Sequence, residues 1–342
     1  MNAARFEEIT ARYPGLRLAV LGDFCLDRYL EIDPARAETS IETGLEVHNV
    51  VNVRSQPGAA GTILNNLGAL GVGTLLPIGF CGEDGEGHEL LGALRRQPGV
   101  SLEHFLQTPA RRTFTYCKPL VCAPGAVPRE LNRLDSKNWT RTPAEVSARL
   151  VESFDAVAGF ADGLILMDQV DVPETGVVTS AVLAAVQARA MAAPLKLIMA
   201  DSRRGLTGFP PVVLKMNERE LAALTAETFG NLNVIRTAAA DLAHRHGRPV
   251  FVTLAERGIV GAAPGGRVEH VPAFPVRGEI DIVGAGDAVT ANLTAALAAG
   301  AGLREALELA MAAASVVVHQ LGTTGTATVA DLRALLFPAP VG

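Results

Sequence analysis

Short apolar runs that end in a polar residue recur along the chain. The run 18–21 leads to Asp23, 164–167 to Asp168, 195–200 to Asp201, 212–216 to Asn217, and 250–252 to Thr253. Apolar runs of this length fit strands buried on both faces of a parallel sheet. Stretches with helical spacing lie between several of them, at about 177–192, 218–227 and 232–246. Alternating strands and helices imply an α/β fold: a mostly parallel central sheet flanked by helices and joined by crossovers. Ligands of such sheets bind beyond the carboxyl ends of the strands. The five polar residues fall there.

Two segments break this rhythm. One spans about 28–57, with period-two pieces at Leu45-Glu46-Val47 and Val51-Asn52-Val53; the other spans about 107–135. Both read as strands outside the main sheet, and together they predict a small β-lid over the site. Surface loops are the other reading. Pro124 and Gly125 mark a flexible tip at 121–127. The most apolar stretch, 67–81, is interrupted by Gly68, Gly71, Gly73, Pro77 and Gly79, and does not read as a membrane span.

Residues 281–287 read Asp-Ile-Val-Gly-Ala-Gly-Asp, and a helical pattern follows at once, with Val289, Leu293, Ala296 and Leu297 on one face. Gly284, Ala285 and Gly286 therefore lie at a helix N-terminus. Backbone N–H groups there lack intrahelical partners, and the helix dipole favours an anion. The carboxylate of Asp287 opposes anion binding by itself. It makes chemical sense as a base that takes a proton from a hydroxyl attacking a phosphoryl group.

This segment resembles the Asp-Thr-x-Gly-Ala-Gly-Asp signature of the PfkB/ribokinase family of carbohydrate kinases, with Ile282 at the usual Thr. The resemblance runs over about residues 16–335 and implies a single ribokinase-like kinase domain over 1–342. Gly22-Asp23-Phe24-Cys25-Leu26-Asp27-Arg28-Tyr29, with Ser40 and Glu42 further on, resembles the heptose-phosphate kinase branch. Asp23 and Asp27 are thereby implied as sugar-hydroxyl contacts; a turn cap and a solvated charge are the alternatives. Gly58, Ala59 and Thr62 fall on the sugar-contact signature, but Ala59 replaces its second Gly and Thr62 its Asn. Asn217 and Glu220 match an Asn-x-x-Glu element and are implied at Mg²⁺ and the nucleotide phosphates, although Asn217 also suits a helix cap. Thr253, Glu256 and Gly258 resemble a nucleotide turn. Met311 resembles the helix beside adenine, where Asn is common, and helix core accounts for it equally well. Asp281, Val283, Gly322 and Thr326 match the elements that hold a monovalent cation such as K⁺ in many members.

The implied activity is transfer of the γ-phosphoryl group of ATP, with Mg²⁺, to a hydroxyl of a sugar or sugar phosphate. Asp287 would be the general base. Other readings are a kinase for a nucleoside or another small alcohol, or a lapsed homologue that only binds nucleotide or sugar. The family resemblance also implies a homodimer through the lid. The 342 residues leave no room for the nucleotidyltransferase module of the bifunctional branch, so a kinase-only form is expected.

Composition narrows the picture in three ways. A net charge of −6 argues against a general nucleic-acid binder. Cys25, Cys81, Cys117 and Cys122 have no metal-site spacing and read as reduced thiols. The charged, mixed N-terminus gives no secretory signal, so a cytoplasmic protein with no membrane partner is expected. No Gly-x4-Gly-Lys-Ser/Thr occurs, which excludes a P-loop kinase.

Overall fold

The computed structural model describes residues 1–192 and 197–338. Leu195 and Lys196, the start of the third apolar run, lie outside the described residues. Nine strands form the central sheet. In spatial order they are Val268–Val271, Ile259–Ala262, Val250–Thr253, Val213–Asn217, Leu197–Ser202, Gly163–Asp168, Arg17–Gly22, Thr74–Gly82 and Phe105–Thr108. From Val250–Thr253 to Phe105–Thr108 neighbouring strands pair in parallel; the two at the other edge are antiparallel. The fold is thus ribokinase-like α/β. All five apolar runs became strands of this sheet.

Alternation along each strand divides the core into two layers. Leu18 and Val20 pack on one side with Ile63, Leu64, Leu293 and Leu307, from the helices Ala60–Ala69, Ala285–Ala298 and Leu303–Val318. Ala19 and Leu21 pack on the other with Leu150, Val182, Val186 and Leu242, from the helices Ala144–Ala158, Ser180–Ala192 and Leu232–His246. After Arg17–Gly22 the chain builds the sheet towards Phe105–Thr108, and from Gly163–Asp168 it builds the other way. The strand order therefore reverses between these two neighbours, and a crevice opens at their carboxyl ends.

A second sheet covers that crevice. Its strands run Leu134–Ser136, Phe114–Val121, Phe24–Ile32 and Val50–Ala59, with Arg129–Glu130 added beside Phe114–Val121. Glu38–Thr39 and Glu46–Val47 form a separate two-stranded ribbon. The lid starts at Phe24, directly after the first central strand and earlier than residue 28. Residues 107 and 108 belong to the central edge strand rather than to the lid. The apolar stretch 67–81 divides at Gly71, whose φ is +78°, into the end of the helix Ala60–Ala69 and the start of the strand Thr74–Gly82. Among the described residues no helix is long and apolar enough to cross a membrane.

Candidate active site

The lid and the carboxyl ends of the central strands enclose a cavity of about 250 Å³. Strand pleating decides which lid residues face it. Asp27 pairs across Phe114–Val121 with Tyr116, and Tyr116 across Leu134–Ser136 with Asp135; this row, Cys25 and Lys118 line the cavity. Asp287 and Gly284 line it from below.

Gly284 caps the helix Ala285–Ala298 with φ +83°, a conformation a side chain would strain. The Ala285 N–H donates to the Ile282 carbonyl at 3.2 Å. The N–H groups of Gly284, Gly286 and Asp287 find no acceptor among the described residues. Two of the three expected anion-hole donors are therefore open, and the third closes the turn that presents them. Asp287 is the third helical residue. It keeps some contact with the cavity, yet the packed protein around it pushes its pKa up to about 7; Asp201 and Asp27 push the same way and Lys215 opposes them.

Asp27 is 7% exposed and accepts no hydrogen bond from the described residues. Burial raises its pKa, against the pull of Lys118 and Arg133. A Cβ on Gly58 would fall 2.5 Å from Asp27 Oδ2, so a side chain there would displace this carboxylate. Thr62 also lines the cavity, and its buried Oγ1 has no partner. Ala59 lines it at φ +54°, where an L side chain is strained and the family's glycine is not.

Asp23, expected at the acceptor, lies beneath the loop 169–177 instead. Its carboxylate accepts from the N–H groups of Val177 at 2.6 Å, Gln169 at 2.8 Å and Val170 at 3.3 Å, and does not line the cavity. Beside it, Asp168 accepts from Ser202 Oγ at 2.8 Å and Arg204 Nη2 at 2.7 Å; burial and Asp23 raise its pKa to about 7.

Asn217 and Glu220 form a capping box. The Asn217 side chain accepts from the Glu220 N–H at 3.0 Å, and Glu220 Oε2 accepts from the Asn217 N–H at 2.7 Å. The second Glu220 oxygen is not used in that box. Among the described residues no three His, Cys, Asp or Glu side chains gather as a metal site. This donor set fits a Mg²⁺ held mainly by nucleotide phosphates and water, with one carboxylate from the protein. Asn217 pairs with Thr253 in the sheet, which brings the Asn-x-x-Glu element beside the turn that carries exposed Glu256 and buried Gly258, the latter at φ +94°. Met311 is buried in the first core layer.

Asp281 links the two loops expected around a monovalent cation. Its Oδ1 accepts from the Val283 N–H at 3.0 Å and its Oδ2 from the Gly322 N–H at 3.2 Å. Gln320 clamps Thr326, donating to its carbonyl at 2.8 Å and accepting from its N–H at 3.0 Å. Both Asp281 oxygens thus hold backbone N–H groups, and this carboxylate ties the turn before Gly284 to the loop at Gly322.

Sequence reasoning missed three of the cavity's four cations, Lys118, Arg133 and Lys137. Lys118, Arg133, Lys137 and Arg203 line it with three carboxylates, Asp27, Asp135 and Asp287. Lys137 and Arg203 share Asp171, at 2.7 and 3.3 Å, and Arg133 pairs with Asp135 at 3.0 Å. Lys118 lies over the Tyr29 ring at 5.0 Å and pairs with no carboxylate among the described residues. Alternation along 112–118 was the available signal, but it does not say which face looks inward.

Comparison with known proteins identifies the family and the fold. Residues 24–329 match the sequence profile described as pfkB family carbohydrate kinase. The Bifunctional protein HldE of Azorhizobium caulinodans is 32% identical over 320 residues, covering 93% of this chain and 64% of that protein. Its counterpart in Gluconacetobacter diazotrophicus is 30% identical, covering 95% of this chain and 64% of that one. The chain thus spans just under two thirds of these relatives. Among solved structures, Arabidopsis thaliana ribokinase complexed with ribose and ATP superposes with a TM-score of 0.68 at 22% identity, covering 95% of this chain and 99% of that one. Phosphofructokinase-2 from Escherichia coli in complex with potassium gives 0.69 at 20% identity, covering 94% and 97%.

Proposed function

The chain belongs to the pfkB family of carbohydrate kinases, and from that premise we propose that it transfers the γ-phosphoryl group of ATP to a hydroxyl of a sugar phosphate, with Asp287 as general base. The observation that carries this reading is Asp287 at a helix N-terminus with open N–H donors, facing the same cavity as the unpartnered carboxylate of Asp27. Asp27 accepts hydrogen bonds from acceptor hydroxyls. Asp287 takes the proton of the attacking hydroxyl, whose oxygen bonds to the γ-phosphorus while the bond to the ADP oxygen breaks. A carboxyl group that titrates near 7 is matched to that task at neutral pH. The open donors of Gly284 and Gly286 stabilise charge on the transferring group. Mg²⁺ neutralises the nucleotide phosphates when bound. Glu220 would hold it through the oxygen not used in the capping box, with Asn217 fixing Glu220 and with Thr253 and Gly258 beside the nucleotide. K⁺ at Asp281 would stiffen the turn below.

The anionic acceptor is supported by Lys118, Arg133 and Arg203 at the cavity wall. Arg133 and Arg203 already pair with Asp135 and Asp171, but Lys118 has no carboxylate partner among the described residues, and a neutral sugar or nucleoside leaves it unneutralised. The resemblance of residues 22–29, Ser40 and Glu42 to the heptose-phosphate kinase branch supports the same reading. We also propose a cytoplasmic kinase domain and a homodimer through the lid, where Ile41, Leu45, Val51 and Val53 are exposed. ATP consumption against a panel of phosphorylated and neutral sugars tests the function. Turnover with phosphorylated sugars, abolished for them by Lys118→Ala, supports the reading; turnover with neutral sugars alone removes the anionic acceptor, and no turnover with any removes the kinase.

A further inference from the structure

One side chain beneath the site belongs to no motif read from the sequence. Lys215, in the strand Val213–Asn217, is 7% exposed. Its Nζ donates to Asp201 Oδ2 at 2.7 Å, and Thr290 Oγ1 lies 2.8 Å from the same oxygen and 3.1 Å from the Gly286 carbonyl. A Cβ on Gly286 would come 3.3 Å from Lys215 Nζ, so glycine lets the ammonium approach the first turn of the helix Ala285–Ala298. A buried ion pair is a weak source of stability, because desolvation offsets most of the attraction. Its location gives it another use.

We propose that Lys215 is a positioning residue of the phosphotransfer centre: held by Asp201, its ammonium is the fixed positive charge that backs the turn at Gly286 and favours the ionised form of Asp287. The proposal rests on the kinase reading above. The groups that face Asp287 are Asp201 from Leu197–Ser202, Lys215 from Val213–Asn217, and Asp27 and the Cys25 thiol from Phe24–Ile32. Asp201 and Asp27 disfavour a further negative charge; Lys215 alone among them favours it. As negative charge gathers on the transferring phosphoryl group, the same ammonium lies behind the N–H donors, in a place water cannot screen.

The test reads Asp287 directly. Titration of its carboxyl carbon by ¹³C NMR needs neither nucleotide nor acceptor, and Asp287→Asn assigns the resonance. Lys215→Met should move the midpoint up and Asp201→Asn should move it down, each by about one pH unit. The double variant Lys215→Met/Asp201→Asn should return near the wild-type midpoint, and it leaves no lone buried charge to unfold the protein. With an acceptor from the panel, Lys215→Met and the double variant should both lose about 10²-fold in kcat, with MgATP affinity within about 3-fold, and Lys215→Arg should recover part of the rate. Midpoints that stay at the wild-type value in both single variants, or a double variant with full kcat, would overturn the proposal. Wild-type protein that consumes no ATP would instead remove the kinase reading, and the midpoints would remain measurable.

Discussion

Asp287→Asn separates a catalytic base from a helix cap, because the two roles predict opposite changes in stability. Asn keeps the shape and much of the capping ability of Asp. If Asp287 were only a cap, the variant would be equal or slightly weaker in stability at every pH. The structure implies the reverse. A carboxyl group held near 7 rather than its ordinary 3.8 destabilises the fold once it must ionise. At about 1.4 kcal/mol per tenfold change in proton affinity this reaches about 4 kcal/mol; the part of Asp287 open to cavity water lowers it to about 1–3 kcal/mol. The sign follows from linkage. Below pH 3.8 the carboxyl is protonated both folded and unfolded, and the two proteins should be equally stable. Between 3.8 and about 7 the unfolded chain ionises first and the wild type loses stability. Above 7 the gap is constant. Thermal unfolding of both proteins at pH 5 and pH 8 measures this: Asp287→Asn should melt higher at pH 8 and by a smaller margin at pH 5. The same variant should lose about 10²–10⁴-fold in phosphotransfer while binding MgATP as well as or better than wild type. Full turnover, or a melting difference independent of pH, would refute the reasoning.

Asp27→Asn should raise the acceptor KM by about 10–100-fold, one charged hydrogen bond's worth, and leave ATP affinity unchanged in calorimetry; parallel losses for both ligands would return Asp27 to a structural role. Asp23→Ala strands three N–H donors under the loop 169–177, so it should lower unfolding free energy by about 1–3 kcal/mol or more and weaken acceptor and nucleotide together. A selective acceptor loss would put Asp23 back at the substrate. Ala59→Gly relieves a backbone at φ +54° and should stabilise by about 1 kcal/mol; denaturant unfolding showing a loss would mean that the Ala59 methyl packing outweighs the strain.

The sheet was legible from the chain because a strand buried on both faces needs a continuous apolar run, and five such runs each end where the crevice opens. The turn 281–287 was legible because the need for small residues at a helix N-terminus is local. Two antiparallel edge strands, Ile259–Ala262 and Val268–Val271, escaped notice because Gly261 interrupts the first and Glu269 and His270 the second, so neither ends a continuous apolar run in a polar residue. The roles of individual carboxylates were not local. Asp23 and Asp27 are four residues apart in one stretch of sequence, yet the loop 169–177 takes every oxygen of the first and none of the second. Asn217 suited both a cap and a metal ligand, and the fold shows the cap without removing the other role. Lys118 reaches the cavity through pairing of Phe114–Val121 with the distant Phe24–Ile32, and Arg133 from just before the strand Leu134–Ser136. Lys215 meets Asp201 and Gly286 only because two strands and a helix converge. Periodicity and turn chemistry depend on neighbours along the chain and can be read from it. Burial, the partner of a charge and the resulting proton affinity depend on neighbours in space, and those exist only once the chain has folded.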